Sequence, residues 1–191
     1  AGELLAEENP VEADMVCGVP DSGLDAALGY AEASGIPYGT ALIKNKYIGR
    51  TFIQDTQLHR EASVRVKLNV LRAAVDGKRI VLVDDSIVRG TTCRHIVGLL
   101  RQAGAKEIHL RVTAPPFRFP CFFGTDIRSS EDLIACRLSR EAMLSSIGAD
   151  SVGFLSLQSA RRIAGGQTGL CDACFTGEYP IPVPEKLPTS K

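Results

Sequence analysis

Tryptophan is absent, methionine occurs only twice, and aromatics make up 6% of the 191 residues, so the chain offers few stacking platforms for nucleic-acid bases. Neither sign of charge is in excess: 22 Lys plus Arg balance 22 Asp plus Glu, which removes the global field that draws a protein to nucleic acid or to an acidic membrane. No apolar run approaches the roughly 20 residues of a membrane span. The start at Ala1 lacks both an initiator Met and a basic-then-apolar signal pattern. A cytoplasmic protein is expected, with no nucleic-acid and no membrane partner. Its opening, Ala1-Gly2-Glu3-Leu4-Leu5-Ala6-Glu7-Glu8, reads as an amphipathic helix already in progress, so the chain looks like a piece of something longer.

What is present is a globular composition, 45% hydrophobic, over a length that suits one core. Val16-Cys17-Gly18-Val19-Pro20 reads as a short buried strand, Asp21-Ser22-Gly23 as a turn, and Leu24 to Ser34 as a helix ending at Gly35. A second strand is expected over residues 38–43. The polar stretch 44–60 has no steady period, and a helix should follow with Val64, Leu68, Leu71 and Val75 on one face and Gly77 at its end. Strands at 80–83 and 107–114 flank a helix that starts near Thr92. This alternation predicts an α/β fold, a mostly parallel sheet with helices on both faces, whose ligands sit at the carboxyl ends of strands. Pro180, Pro182, Pro184 and Pro188 make residues 180–191 an extended tail.

The run Ile80-Val81-Leu82-Val83-Asp84-Asp85-Ser86-Ile87-Val88-Arg89-Gly90-Thr91-Thr92 is the most informative. It sets two carboxylates at the end of an apolar strand and a small hydroxyl-rich loop at a helix start. Unpaired N–H groups and the positive end of the helix dipole suit a phosphate dianion there. Gly90 allows close backbone approach, and Thr91 and Thr92 add donors. Hydrogen bonds to a charged phosphate contribute roughly 1.5–3 kcal/mol each, so four or five anchor a ligand at about micromolar strength. Asp84 and Asp85 repel phosphate, and instead suit ribose hydroxyls or a divalent cation. Val19-Pro20-Asp21-Ser22-Gly23 can present N–H groups and the Ser22 hydroxyl to a pyrophosphate or its metal, although on its own it is an ordinary turn. Between Lys44 and Arg72 seven basic residues face two acids, which fits either a solvated surface or a flap whose Lys44, Tyr47 and Arg50 close over a polyphosphate.

Six cysteines stand at positions 17, 93, 121, 136, 171 and 174. Cys17, Cys93 and Cys136 read as small core residues. Cys171-Asp172-Ala173-Cys174 lets two thiolates meet one metal and is open to iron–sulfur, zinc or redox use.

These motifs resemble a known family. The apolar strand, Asp-Asp and the Gly-x-Thr loop match the ribose-5-phosphate signature of type I phosphoribosyltransferases. The form Asp-Asp-Ser-Ile-Val-Arg-Gly-Thr-Thr is similar to that of the glutamine phosphoribosylpyrophosphate amidotransferases. That family also carries Val-Pro-Asp-Ser-Gly and a segment close to Lys44-Asn45-Lys46-Tyr47-Ile48-Gly49-Arg50. The Pro120-Cys121-Phe122-Phe123-Gly124-Thr125-Asp126 segment and the end around Gly169-Leu170-Cys171 and Cys174 resemble its iron–sulfur-containing subgroup, with Phe123 and Thr125 as mild departures.

The resemblance implies a type I phosphoribosyltransferase-like core over residues 1–115, a cysteine-bearing extension over 116–179 and a tail over 180–191. It implies Mg²⁺ on Ser22, Asp84 and Asp85. Asp21, Ser22, Lys44, Tyr47, Arg50, Asp84, Asp85, Ser86, Val88, Arg89, Gly90, Thr91 and Thr92 become the residues that hold phosphoribosyl pyrophosphate. Cys121, Cys171 and Cys174 become three ligands of a [4Fe–4S] cluster whose fourth lies upstream of this chain. An N-terminal glutaminase partner, purine nucleotides as inhibitors and a homotetramer are the further implications. The implied function is formation of 5-phosphoribosylamine from phosphoribosyl pyrophosphate and glutamine-derived ammonia. A salvage phosphoribosyltransferase and a nucleotide-sensing regulator without turnover are the rivals.

Overall fold

The computed structural model describes residues 1–45, 68–125, 127, 129–166 and 169–183; Tyr47, Arg50 and the rest of 46–67 lie outside them, as do the last prolines of the tail. Six strands are described: β1 Met15–Gly18, β2 Leu42–Lys44, β3 Leu68–Val70, β4 Arg79–Asp84, β5 Glu107–Val112 and β6 Ser151–Phe154. The described helices are α1 Gly2–Glu8, α2 Leu24–Ser34, α3 Arg72–Val75, α4 Thr91–Gln102, α5 Ile134–Arg137, α6 Arg140–Ile147, α7 Leu157–Ile163 and α8 Ala173–Thr176.

Four strands form one parallel sheet in the order β1-β4-β5-β6, while β2 and β3 pair antiparallel beside it. Central strand β4 is apolar from Ile80 to Val83 because both its faces are covered, whereas its neighbour β5 buries the polar His109 and Arg111 on one face. On one face Leu5, Ala27 and Tyr30 of α1 and α2 pack on Val16, Val81 and Val83. On the other, Cys93, Ile96, Val97 and Leu100 of α4, with Met143 and Ile147 of α6, pack on Ile80, Leu82, Ile108 and Leu110. Each such buried Leu or Ile contributes roughly 1.5–3 kcal/mol. The sheet does not stop at residue 115, since β6 and α6 lie beyond it and complete the same core.

The far end of the chain is tied to its start. The Glu8 carboxylate accepts bonds from the Ser156 amide at 2.7 Å and from the hydroxyls of Ser156 and Ser159, each at 2.6 Å. The Asn9 side chain donates to the Phe154 carbonyl at 3.1 Å, and its own carbonyl accepts from the Tyr30 hydroxyl at 2.8 Å and Arg111 Nε at 2.9 Å.

Three expectations need correction. The helix read through Leu68, Leu71 and Val75 is instead strand β3 followed by the four-residue α3, because Leu68 and Val70 pair with Lys44 and Leu42. The strand read over 38–43 shrinks to a single bridge between Tyr38 and Val16, followed by β2. Cys136 is exposed rather than in the core, its thiol donating to the Arg118 carbonyl at 3.0 Å.

Candidate functional site at the carboxyl ends of β1 and β4

Both loops expected to hold a ligand leave the same edge of the sheet, because β1 and β4 are parallel neighbours with Gly18 opposite Val83. They are locked by the main chain: the Val19 amide donates to the Val83 carbonyl at 2.8 Å, and the Gly23 amide donates to the Val19 carbonyl at 2.9 Å. A Cβ on Gly23 would lie 2.3 Å from the Val83 carbonyl oxygen, so only glycine lets the first turn lie this close to β4. The Pro20–Asp21 peptide is cis. Across the two loops Ser22 and Asp85, 63 positions apart, meet: the Ser22 hydroxyl donates to Asp85 Oδ1 at 3.1 Å. Ser86 donates to Oδ2 of the same carboxylate at 3.2 Å.

The two carboxylates are not equivalent. Asp85 is exposed, while Asp84 retains only 5% exposure. Asp84 Oδ1 accepts the Asp85 amide at 2.9 Å, and Oδ2 accepts the Cys93 thiol at 3.8 Å. Burial, reinforced by the neighbouring Asp85, pushes the Asp84 carboxyl up to about 7, against the pull of the Asp85 amide and the Cys93 thiol. Burial also pushes the Cys17 thiol up to about 12 and raises Cys93 further, which makes both inert.

Gly90 caps α4 at φ 77°. Thr91 and Thr92 are exposed at the helix start. Among the described residues, the amides of Ile87, Val88, Gly90, Thr91 and Thr92 donate to no other part of the protein. The loop is therefore a set of donors at the positive end of a 12-residue helix. Lys44, at the end of β2, is ion-paired with Asp21. Tyr47 and Arg50, read with it as a flap, lie outside the described residues. Arg89 makes a bidentate pair with Asp132, a partner that no local sequence signal announces. The Cys93 bond to Asp84 was equally hidden, since Cys93 reads as core.

A second site is the pocket of about 300 Å³ lined by Cys121, Cys171 and Cys174 with Phe123 and Tyr179. The amides of Gly124 and Thr125 donate to the Cys121 sulfur, both at 3.4 Å. Burial opposes the Cys121 thiolate, but bonds from the Thr125 side chain and the amides of residues 123–125 outweigh it and bring the thiol down to about 7. Among the described residues no cluster of three or more His, Cys, Asp or Glu is gathered tightly enough for a single metal ion. The three thiols that line the pocket are soft donors of the kind a thiophilic metal group takes, and hydrogen bonds to sulfur are what such a group uses. At the first site the exposed Asp85 and Ser22 oxygens suit a hard cation such as Mg²⁺. No helix among the described residues is long and apolar enough to cross a membrane.

Comparison with known proteins agrees with this geometry. The family profile for the phosphoribosyl transferase domain matches residues 2–116. The chain is 55% identical over 186 residues to an amidophosphoribosyltransferase of Archaeoglobus fulgidus, covering 96% of this chain and 41% of that one. It is 53% identical over 187 residues to the Bacillus subtilis amidophosphoribosyltransferase, covering 95% and 39%. A solved structure of the glutamine phosphoribosylpyrophosphate amidotransferase from B. subtilis, complexed with ADP and GMP, superposes with a TM-score of 0.84 at 52% identity, over 96% of this chain and 42% of that one. The chain thus spans about two fifths of the length of the curated relatives it matches.

Proposed function

The chain belongs to the phosphoribosyl transferase domain family, and on that premise we propose that it is the phosphoribosyl-transfer half of an amidophosphoribosyltransferase. Its substrate is phosphoribosyl pyrophosphate, and its nitrogen source is ammonia released from glutamine by a glutaminase domain upstream. The observation that carries this reading is the meeting of Ser22 with Asp85 beside a loop of unengaged amides.

The loop of residues 86–92 binds the 5′-phosphate through its amides and the hydroxyls of Ser86, Thr91 and Thr92. Asp85, with Asp84 behind it, accepts from the ribose hydroxyls. Asp21, Ser22, Lys44, Tyr47 and Arg50 engage the pyrophosphate. Mg²⁺, on Ser22 and Asp85 and drawn by the charge of Asp84, would neutralise the departing pyrophosphate. Ammonia attacks the anomeric carbon as the bond to pyrophosphate oxygen breaks, and the new C–N centre loses a proton to solvent. Little acid–base work falls to side chains, so catalysis here is orientation and charge placement.

Cys121, Cys171 and Cys174 would hold an iron–sulfur cluster. Three thiols lining one pocket, with two amides donating to the Cys121 sulfur, support a thiophilic metal group there. A fourth ligand outside this chain completes it, so the isolated chain holds fewer than four irons. A cytoplasmic homotetramer is the proposed setting. Purine nucleotides are proposed as competing ligands of the phosphate loop, in line with the ADP and GMP bound to the B. subtilis protein.

Calorimetric titration with phosphoribosyl pyrophosphate, with and without Mg²⁺, tests the reading. Binding strengthened by Mg²⁺ and lost in Asp85→Ala supports it, and unchanged binding in that variant overturns it. Turnover with free ammonia separates an enzyme from a regulator that only binds nucleotides.

A further inference from the structure

The phosphate loop is held from outside by a turn more than forty residues downstream. Ser129 caps that turn by accepting from the Glu131 amide at 3.1 Å, and the Leu133 amide donates to the Ser130 carbonyl at 3.1 Å. Its far end is rooted in the core, where Leu133 and Ile134 retain 0% and 2% exposure. Three successive loop residues each touch it. The Val88 carbonyl accepts the Ile134 amide at 2.8 Å. Arg89 Nε donates to Asp132 Oδ1 at 3.0 Å and Nη2 reaches Oδ2 at 3.0 Å. Gly90 lies so close to Ile134 that a Cβ there would sit 2.5 Å from its Cδ1.

We propose that Asp132 is a positioning residue for phosphate binding: its bidentate pair with Arg89 clamps the loop of residues 86–92 in the shape that presents its amides, so that Arg89 serves as a latch to the extension and not as a direct ligand of the phosphate. The inference rests on the phosphoribosyl pyrophosphate reading. A planar guanidinium facing a carboxylate with two parallel bonds fixes orientation as well as distance. The Arg89 guanidinium in turn holds the Asp132 carboxyl below its ordinary range. Position 132 carries no binding role in the sequence reading, yet it decides where Arg89 points.

The pair is half exposed, with side-chain exposures of 52% and 37%, so its coupling should be worth about two- to fivefold in affinity. The test measures phosphoribosyl pyrophosphate affinity and ammonia-dependent turnover for the full chain, Arg89→Ala, Asp132→Ala, the double variant, and the swap Arg89→Asp with Asp132→Arg. A latch predicts that both single variants weaken binding to a similar degree and that the double is no worse than either. It also predicts that the swap recovers most of the loss and that KM rises while kcat holds. In ligand-free protein, amide exchange at Ile134 should speed up in Asp132→Ala and slow again in the swap. A direct phosphate contact by Arg89 predicts the reverse pattern: a large loss in Arg89→Ala, none in Asp132→Ala and no rescue. Multiplicative single effects, or an Ile134 amide indifferent to Asp132, would also overturn the latch. If the parent chain does not bind the ligand at all, the substrate reading fails instead, and the Ile134 exchange still decides the latch.

Discussion

Replacing Asp84 by Asn should make the metal-free protein more stable above neutral pH while abolishing ligand binding. Asp84 sits at the end of β4 with its carboxylate closed in by the Asp85 amide and the Cys93 thiol. Burial raises it from an ordinary 3.8 to about 7. At about 1.4 kcal/mol for each tenfold step, that rise corresponds to about 4 kcal/mol between the two protonation states. The sign follows from linkage. A carboxyl raised on folding adds stability that is complete below its unfolded value and is lost as pH climbs through its folded value, so near pH 8 the native state carries the whole cost of a buried anion. Asn keeps the shape, lets its carbonyl accept the Asp85 amide, points its NH₂ at the Cys93 sulfur and carries no charge at any pH. In urea unfolding with EDTA, the stability gap between Asp84→Asn and the parent should therefore widen by about 2–3 kcal/mol from pH 5 to pH 8, with unchanged m-values. A gap that stays flat across that range would refute the claim that burial governs this carboxyl.

Three further outcomes are expected. Gly90→Ala should weaken phosphoribosyl pyrophosphate binding at least about tenfold, because φ 77° costs an L-residue about 1–2 kcal/mol and the new methyl meets Ile134 Cδ1; adding Ile134→Val removes that atom and should restore part of the affinity in the same titration. Asp14 is held down at about 2 by bonds from the Arg79 side chain and amide, so the stability it contributes is present above pH 4 and fades as pH falls toward 2; acid titration of Asp14→Asn followed by circular dichroism should lack that part of the loss. In metal-free protein Cys121 should be alkylated by iodoacetamide with a midpoint near pH 7, while Cys17 stays unmodified until the chain unfolds, as read by mass spectrometry.

Much of the site was written in short-range signals. The apolar run into Asp84-Asp85 and the glycine at φ 77° before α4 specify strand, loop and helix start from neighbours alone. Helix α2 occupies Leu24–Ser34 with Gly35 in the left-handed cap, as its pattern predicts. The region at 68–75 misled because Leu68, Leu71 and Val75 satisfy a helical period while Leu68 and Val70 equally satisfy a strand. Pairing with β2 decides for the strand, and pairing is not local. Nor could the sequence say which of two adjacent carboxylates is buried, since that depends on where β4 ends against Cys93 nine residues later. Nor could it show that Arg89 pairs with Asp132, which lies 43 positions away.

The bonds from Glu8 to Ser156 reach across 148 positions, which sets an order on how the molecule closes as it is synthesised. Strands β1, β4, β5 and β6 add outward in the order they are made, each finding its neighbour already in place. Glu8 and Asn9, by contrast, gain their distant partners only once residues 154–159 have emerged. A chain halted at residue 150 keeps three sheet strands but leaves the Glu8 carboxylate without those partners. Helix α1 can pack on α2 as soon as both are made, but its carboxyl end is tied down only when these bonds close, and contacts of such high sequence separation form late.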